Sequence, residues 1–194
     1  MQPLVSHDFV IHFVQQVLLY GWLACELLLQ IRTRLLGGRG ASDWTFYIVV
    51  ASITAAIAGG SRLADIHASQ LGGGRAIVAV GLAVFMAGVL LRLWAMVKLG
   101  RLFTFRVAIQ TGHQIVRSGP YRYVRHPSYS GLLAACLGLG LALENWLSLL
   151  VMIVLPASAI VLRIIVEERA LRSALGADYR DYSATTPRLL PLVW

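Results

Sequence analysis

The sequence predicts an all-α, polytopic membrane protein with about five transmembrane helices, and three observations carry that expectation. Hydrophobic residues make up 58% of the 194-residue chain and charged residues only 13%, about half the charged share of an ordinary soluble domain. The apolar residues are gathered into runs of membrane-spanning length instead of being spread at a core-forming period. The arginines fall between those runs, where they meet lipid headgroups and set topology. Of 17 basic residues only Lys98 is a lysine, and the formal net charge is +8. A balance of that sign can mark a nucleic-acid binder, but its placement at the ends of apolar runs speaks for membrane lipids and against nucleic acid.

The runs follow in order. The first, from about Phe9 to Ile31, ends at the arginine- and glycine-bearing "RTRLLGGRG". The second, Trp44 to Ala58, stops at Gly59-Gly60, and the third, Ala76 to Val97, ends at "KLGR". The fourth, Tyr129 to Leu143, covers only about 22 Å at ~1.5 Å per residue, against a hydrocarbon core of ~30 Å. Only Glu144 and Asn145 separate it from the fifth, Trp146 to Val166, so the two form a tight helical hairpin, with Pro156 expected to kink the second arm. "GLGLG" (Gly138 and Gly140) lies inside the fourth run, where small residues let helices approach closely. Cys25 and Cys136 fall in apolar runs without metal-ligand spacing and read as small core residues; no metal is expected.

Topology follows from the arginines. The segment after the first run holds Arg32, Arg34 and Arg39, and that between the third and fourth holds Lys98, Arg101, Arg106, Arg117, Arg122 and Arg125. The hairpin turn and the N-terminal segment hold none. Five spans with an outside N-terminus bring the arginine-rich loop and the C-terminal segment to one cytoplasmic face. The opening "MQPLVSHDFV" has no basic n-region, which predicts no cleaved signal peptide. After the fifth run, "VEERALRSALG" continues as helix with Gly176 as its terminating glycine. The chain divides into three N-terminal spans, residues 1–98, and a C-terminal core, residues 99–194.

Three places carry chemistry. Arg163 and Glu167 stand four residues apart on one helix face, as an interfacial ion pair or as holders of an anionic and a polar group. "RHPSY", Arg125 to Tyr129, places a proline where it pushes His126 out of helical geometry and starts a helix, whose exposed amides would attract a carboxylate or phosphate. Tyr121, Tyr123 and Tyr129 equally suit an interfacial aromatic belt. "GHQIVRSGPY", Gly112 to Tyr121, has the glycines of an ordered loop. Glu26 and Arg92 lie within spans, where charge is costly unless paired, and could pair with each other.

In this order, "GHQIVRSGPYRYVRHPSYSG", a helical hairpin and "RIIVEERALRSALGADYRDY" resemble the isoprenylcysteine carboxyl methyltransferase family and, more broadly, related membrane methyltransferases, over about Leu99 to Trp194. The resemblance implies a cytosol-facing cofactor-binding region for S-adenosyl-L-methionine. By motif, His113, Gln114, Ile115, Val116, Tyr121, His126, Pro127, Ser128, Tyr129 and Glu167 would hold that cofactor, and Arg163 would place the substrate carboxylate as the catalytic residue. The acceptor would be a lipophilic or prenylated molecule entering from the bilayer, with thiols or phospholipid amines as alternatives. The abundance of alanine, glycine and arginine over lysine suits a bacterial inner membrane. Sterol-type NADPH-dependent reductases share some of these motifs but are usually longer, and a non-enzymatic scaffold is the third reading.

Overall fold

A computed structural model describes residues 44–100 and 115–191, together with Gln16, Tyr20, Gly21 and Ala24. The chain forms two compact units, Met1–Ala41 and Ser42–Trp194. In the first, the four described residues are helical; the remainder of the first predicted span, Cys25 and Glu26 lie outside the described residues.

The second unit contains helices α1 (Trp44–Leu63), α2 (Gly74–Leu99), α3 (Pro127–Ala142) and α4 (Trp146–Thr185), with short 3-10 turns at His67–Ser69 and Gly119–Arg122. Helices α1, α2 and α4 are long and apolar enough to cross a membrane, and α3 is a shorter apolar helix. Their outer surfaces are oily: Leu90, Trp94 and Val97 on α2, and Trp146, Leu150 and Val154 on α4, are all about half exposed or more. Water would penalise such a surface and lipid does not. The all-helical membrane fold expected from composition is therefore the one observed among the described residues.

Helix α3 packs against both α2 and α4, and α1 packs against α4. The closest approach is between α2 and α3, which run antiparallel in a register that pairs Gly81 with Gly138 and Gly88 with Gly131. A methyl group placed on Gly88 would stand 2.5 Å from the amide nitrogen of Ala135, and one on Gly131 would stand 2.5 Å from the Gly88 carbonyl oxygen. The backbones touch because these residues have no side chains, as the small-residue content of the fourth run implied. Cys136 is fully buried in this layer.

Two boundaries differ from expectation. Helix α1 does not stop at Gly59-Gly60 but runs to Leu63. Gly60 is buried against Leu143 and Met152, and this packing on the hairpin outweighs the intrinsic helix cost of two glycines. Within α4 the one non-helical backbone position is Gly176 (φ 55°), while Pro156 is buried and stays within helical geometry. Gly176 thus breaks the helix where the sequence placed its end, but a second helical segment continues to Thr185.

The hairpin tip is pinned by Asn145, which is fully buried. Its carbonyl accepts from the Ser148 amide at 3.1 Å and so caps α4. Its amide group donates to Leu63 O at 2.9 Å, Ile66 O at 3.2 Å and Ser69 Oγ at 2.7 Å, tying the tip to the end of α1. Ser148 Oγ donates to Gly60 O at 2.7 Å alongside.

The glycine register predicts that Gly138→Val forces α2 and α3 apart at a cost of at least the ~1–3 kcal/mol of ordinary overpacking. Thermal unfolding in detergent should show a much lower midpoint for this variant. Gly59→Ala, whose methyl would meet only Val151 Cγ1 at 3.7 Å, should leave the midpoint unchanged or higher.

Candidate active site

Polar side chains collect at the end of the second unit opposite the hairpin tip, where α1 and α3 begin, α2 ends and α4 passes by. Pro127 starts α3, with the preceding His126 in non-helical geometry as the proline requires. Both residues are buried, together with Arg125 and Ser128. The expectation of exposed amides at this helix start is corrected. Arg125 N donates to Pro187 O at 2.8 Å and His126 N to Arg188 O at 3.0 Å, while the Tyr129 and Ser130 amides turn back to His126 O. The C-terminal segment has taken the place a ligand anion was expected to fill, because burying these amides unpaired would be costly.

Arg163 and Glu167 share one face of α4, as their spacing requires, and Tyr129 stands between them. Arg163 Nε donates to the Tyr129 hydroxyl at 2.6 Å, and that hydroxyl donates to Glu167 Oε2 at 2.8 Å. The His126 ring stacks beside Tyr129 (centroids 5.7 Å apart), with Nδ1 3.9 Å from Glu167 Oε1. Arg163 is buried, whereas the Glu167 side chain keeps 29% exposure. The simple pairing of Arg163 with Glu167 is replaced by a cation and an anion held one phenol apart.

Sequence reasoning missed the centre of this cluster, Glu168. Its carboxylate is 3% exposed and carries ion pairs to Arg125 (3.1 Å), Arg172 (3.3 Å) and Arg188 (3.1 Å), with His126 Nε2 at 3.4 Å. A buried carboxylate persists only when its lost hydration is replaced, and here three guanidiniums replace it. The signal available was the four-residue step from Glu168 to Arg172; neither Arg125 nor Arg188 could be connected to it by spacing. Arg125 also donates to Ser183 O at 2.7 Å.

Tyr121 is buried; its hydroxyl donates to Ala95 O at 3.4 Å, and its carbonyl accepts from Tyr182 Oη at 2.7 Å. Burial, reinforced by the charge of Glu167, holds the Tyr121 phenol well above its ordinary pKa, so it remains a neutral donor. Tyr123, in contrast, is 60% exposed. Ile115 and Val116 are half-buried on the approach to this turn, and His113 and Gln114 lie outside the described residues. Arg92 hydrogen-bonds Ser128 through Oγ at 3.0 Å and O at 3.3 Å, so this buried charge serves the start of α3. The structure thus brings Tyr121, His126, Pro127, Ser128, Tyr129, Arg163 and Glu167 to one end of the bundle.

Fold and site together define a helical membrane protein in which the buried ion pairs of the described residues gather at one end of an apolar bundle. Residues 79–173 match the model of the isoprenylcysteine carboxyl methyltransferase (ICMT) family, so the resemblance seen in the motifs holds across most of α2, all of α3 and the first part of α4. Protein-S-isoprenylcysteine O-methyltransferase B of Arabidopsis thaliana is 34% identical over 115 residues, 58% of this chain and 58% of that protein. The Schizosaccharomyces pombe protein-S-isoprenylcysteine O-methyltransferase is 37% identical over 108 residues, 55% of this chain and 46% of its own length. A solved structure of the eukaryotic intramembrane Ras methyltransferase ICMT superposes with a TM-score of 0.63 at 27% identity, covering 72% of this chain and 52% of that one. The matches therefore span about half to three fifths of these relatives.

Glu168 and Glu167 should behave differently on neutralisation. Glu168→Gln leaves three arginines around an uncharged amide and is expected to destabilise the protein by about 3 kcal/mol, at the lower end for a broken buried pair because Arg172 is half-exposed. Glu167→Gln still accepts from Tyr129 and should shift the thermal midpoint far less. Melting both variants in the same detergent checks the order.

Proposed function

We propose that this chain is an S-adenosylmethionine-dependent membrane methyltransferase that O-methylates the carboxylate of an isoprenylcysteine-like lipophilic acceptor. The observation that carries the reading is the Arg163–Tyr129–Glu167 line, a buried cation and an accessible anion fixed at short range within the family-matched stretch. In this reading residues 99–194 form the methyltransferase core, and Ile115, Val116, Tyr121, His126, Pro127, Ser128, Tyr129 and Glu167, with His113 and Gln114, hold the cofactor.

The residues present suit a cofactor that combines a positive sulfur, an amino-acid end and an aromatic base. Glu167 offers a partly open carboxylate beside the stacked His126 and Tyr129 rings. Arg125 Nε is buried without a hydrogen-bond partner among the described residues, a donor left over for an anionic group. When bound, S-adenosylmethionine supplies a methyl group on a positively charged sulfur.

The rest is work for the chain's own side chains. Arg163 meets the acceptor carboxylate and fixes its direction through the planar fork of its guanidinium. A carboxylate is already a nucleophile, so no general base is required, and rate comes from positioning and from excluding water. Methylation removes the acceptor's negative charge, so a low-water site between apolar helices favours the ester. The acceptor's hydrocarbon reaches the site from the bilayer, past the oily outer faces of the helices. The arginine-rich loop and the C-terminal segment would face the cytoplasm of a bacterial inner membrane.

Calorimetry of the detergent-purified protein with S-adenosylhomocysteine and, separately, NADPH tests the reading. Only S-adenosylhomocysteine should bind, and Glu167→Gln should weaken it by about tenfold, the scale of one hydrogen bond to a charged group. Arg163→Ala should bind it normally yet lose about 100-fold or more in kcat/KM with carboxylate acceptors. Equal affinity in wild type and Glu167→Gln, or binding of NADPH instead, would overturn the assignment.

A further inference from the structure

We infer that Thr45, in the first turn of α1, is a positioning residue for Arg163 and sets the site's preference for a carboxylate acceptor. This rests on Arg163 meeting that carboxylate, as proposed above.

Helix α1 presents a buried stripe of Thr45, Val49, Ile53, Ala56 and Gly60 toward the bundle. Four of the five are apolar or small, as packing against α4 demands. The threonine is the exception, and at 1% exposure its hydroxyl must be satisfied inside the protein. Its Oγ1 lies 3.0 Å from Arg163 Nη1 and accepts from it.

The second constraint comes from the opposite side. Arg163 Nε donates to Tyr129 Oη at 2.6 Å, and the guanidinium carbon lies 5.9 Å from the centre of the Phe46 ring. A guanidinium held at one nitrogen can pivot on its long, flexible stem. Held at both Nε and Nη1 by groups on two different helices, its plane is set. Both of these acceptors are hydroxyls, one from α3 and one from α1, and together they fix the direction in which the guanidinium fork faces.

Thr45 precedes the family-matched residues 79–173. Nothing in the motifs pointed to it, since it is 118 residues from Arg163 in sequence. Its role is to orient another side chain, so its loss should blur recognition of the acceptor and leave the cofactor side untouched.

The test compares Thr45→Val, Thr45→Ser and Arg163→Ala in the full-length protein in lipid nanodiscs. One readout is the binding of an N-acyl S-prenylcysteine against that of its methyl ester; the others are kcat, KM and S-adenosylhomocysteine affinity. Thr45→Val should raise KM for the acid, and lower the acid-over-ester binding preference, by roughly tenfold. Its S-adenosylhomocysteine affinity should stay within about twofold, and Thr45→Ser, which keeps the oxygen, should recover to within about threefold of wild type. Unchanged preference and KM in Thr45→Val, or a serine variant as impaired as the valine one, would overturn the role and leave Thr45 as packing. If Thr45→Val does not fold, Thr45→Ala takes its place with the same expectations. Retention of the acid preference by Arg163→Ala would instead remove the reading of Arg163 itself, and the role of Thr45 with it.

Discussion

A carboxylate with 3% of its surface exposed has to be met by positive charge from somewhere, and Glu168 is met by Arg125, Arg172 and Arg188. These belong to the segment before α3, to α4 itself and to the C-terminal tail. No one of these segments could bury Glu168 alone, so the charge requirement draws all three together. Much else at this end of the molecule follows from that. With Arg125 and Arg188 committed to one carboxylate, the backbones around them pair, and the amides of Arg125 and His126 are spent on Pro187 and Arg188. His126 is then stacked on Tyr129, and Tyr129 is aimed between Arg163 and Glu167.

The two acidic neighbours on α4 divide the work because one step along a helix turns a side chain by about 100°. Glu168 points into the cluster and is saturated with cations; Glu167 points along the edge and keeps part of its surface open. The two side chains thus combine a saturated ion-pair network, which fixes shape, with a less committed carboxylate. At the opposite end of the bundle, Asn145 and Ser148 bind backbone and side-chain groups of α1 and the turn after it, and they hold the hairpin against α1.

Between the two ends, the glycine contact of α2 with α3 fixes how far α3 can slide or tilt. Gly88 lies one turn from Arg92, Gly131 packs on the Arg92 backbone, and the Arg92 guanidinium reaches Ser128. The backbone contact and the position of the RHPSY segment are therefore one geometric fact. The family match covers this contact and the Arg163–Glu168 region, while α1, with Thr45 and Phe46, approaches the same guanidinium from outside it.

The sequence by itself determined the membrane class, the starts of α1 to α4 to within a few residues, the hairpin and, at Gly138 and Gly140, two of the glycines that let its helices pack closely. These are local or compositional properties: runs of apolar residues, a two-residue turn and missing side chains have the same consequence in any context. It also showed that Arg163 and Glu167 share a face, which helical periodicity guarantees. Only the tertiary structure decided that Tyr129 separates them, that Glu168 is the buried hub, that the tail caps the start of α3, and that Thr45 meets Arg163. Each of these joins residues dozens of positions apart, and the energy that selects them, the satisfaction of charges and amides removed from water, does not exist until the chain has folded around them.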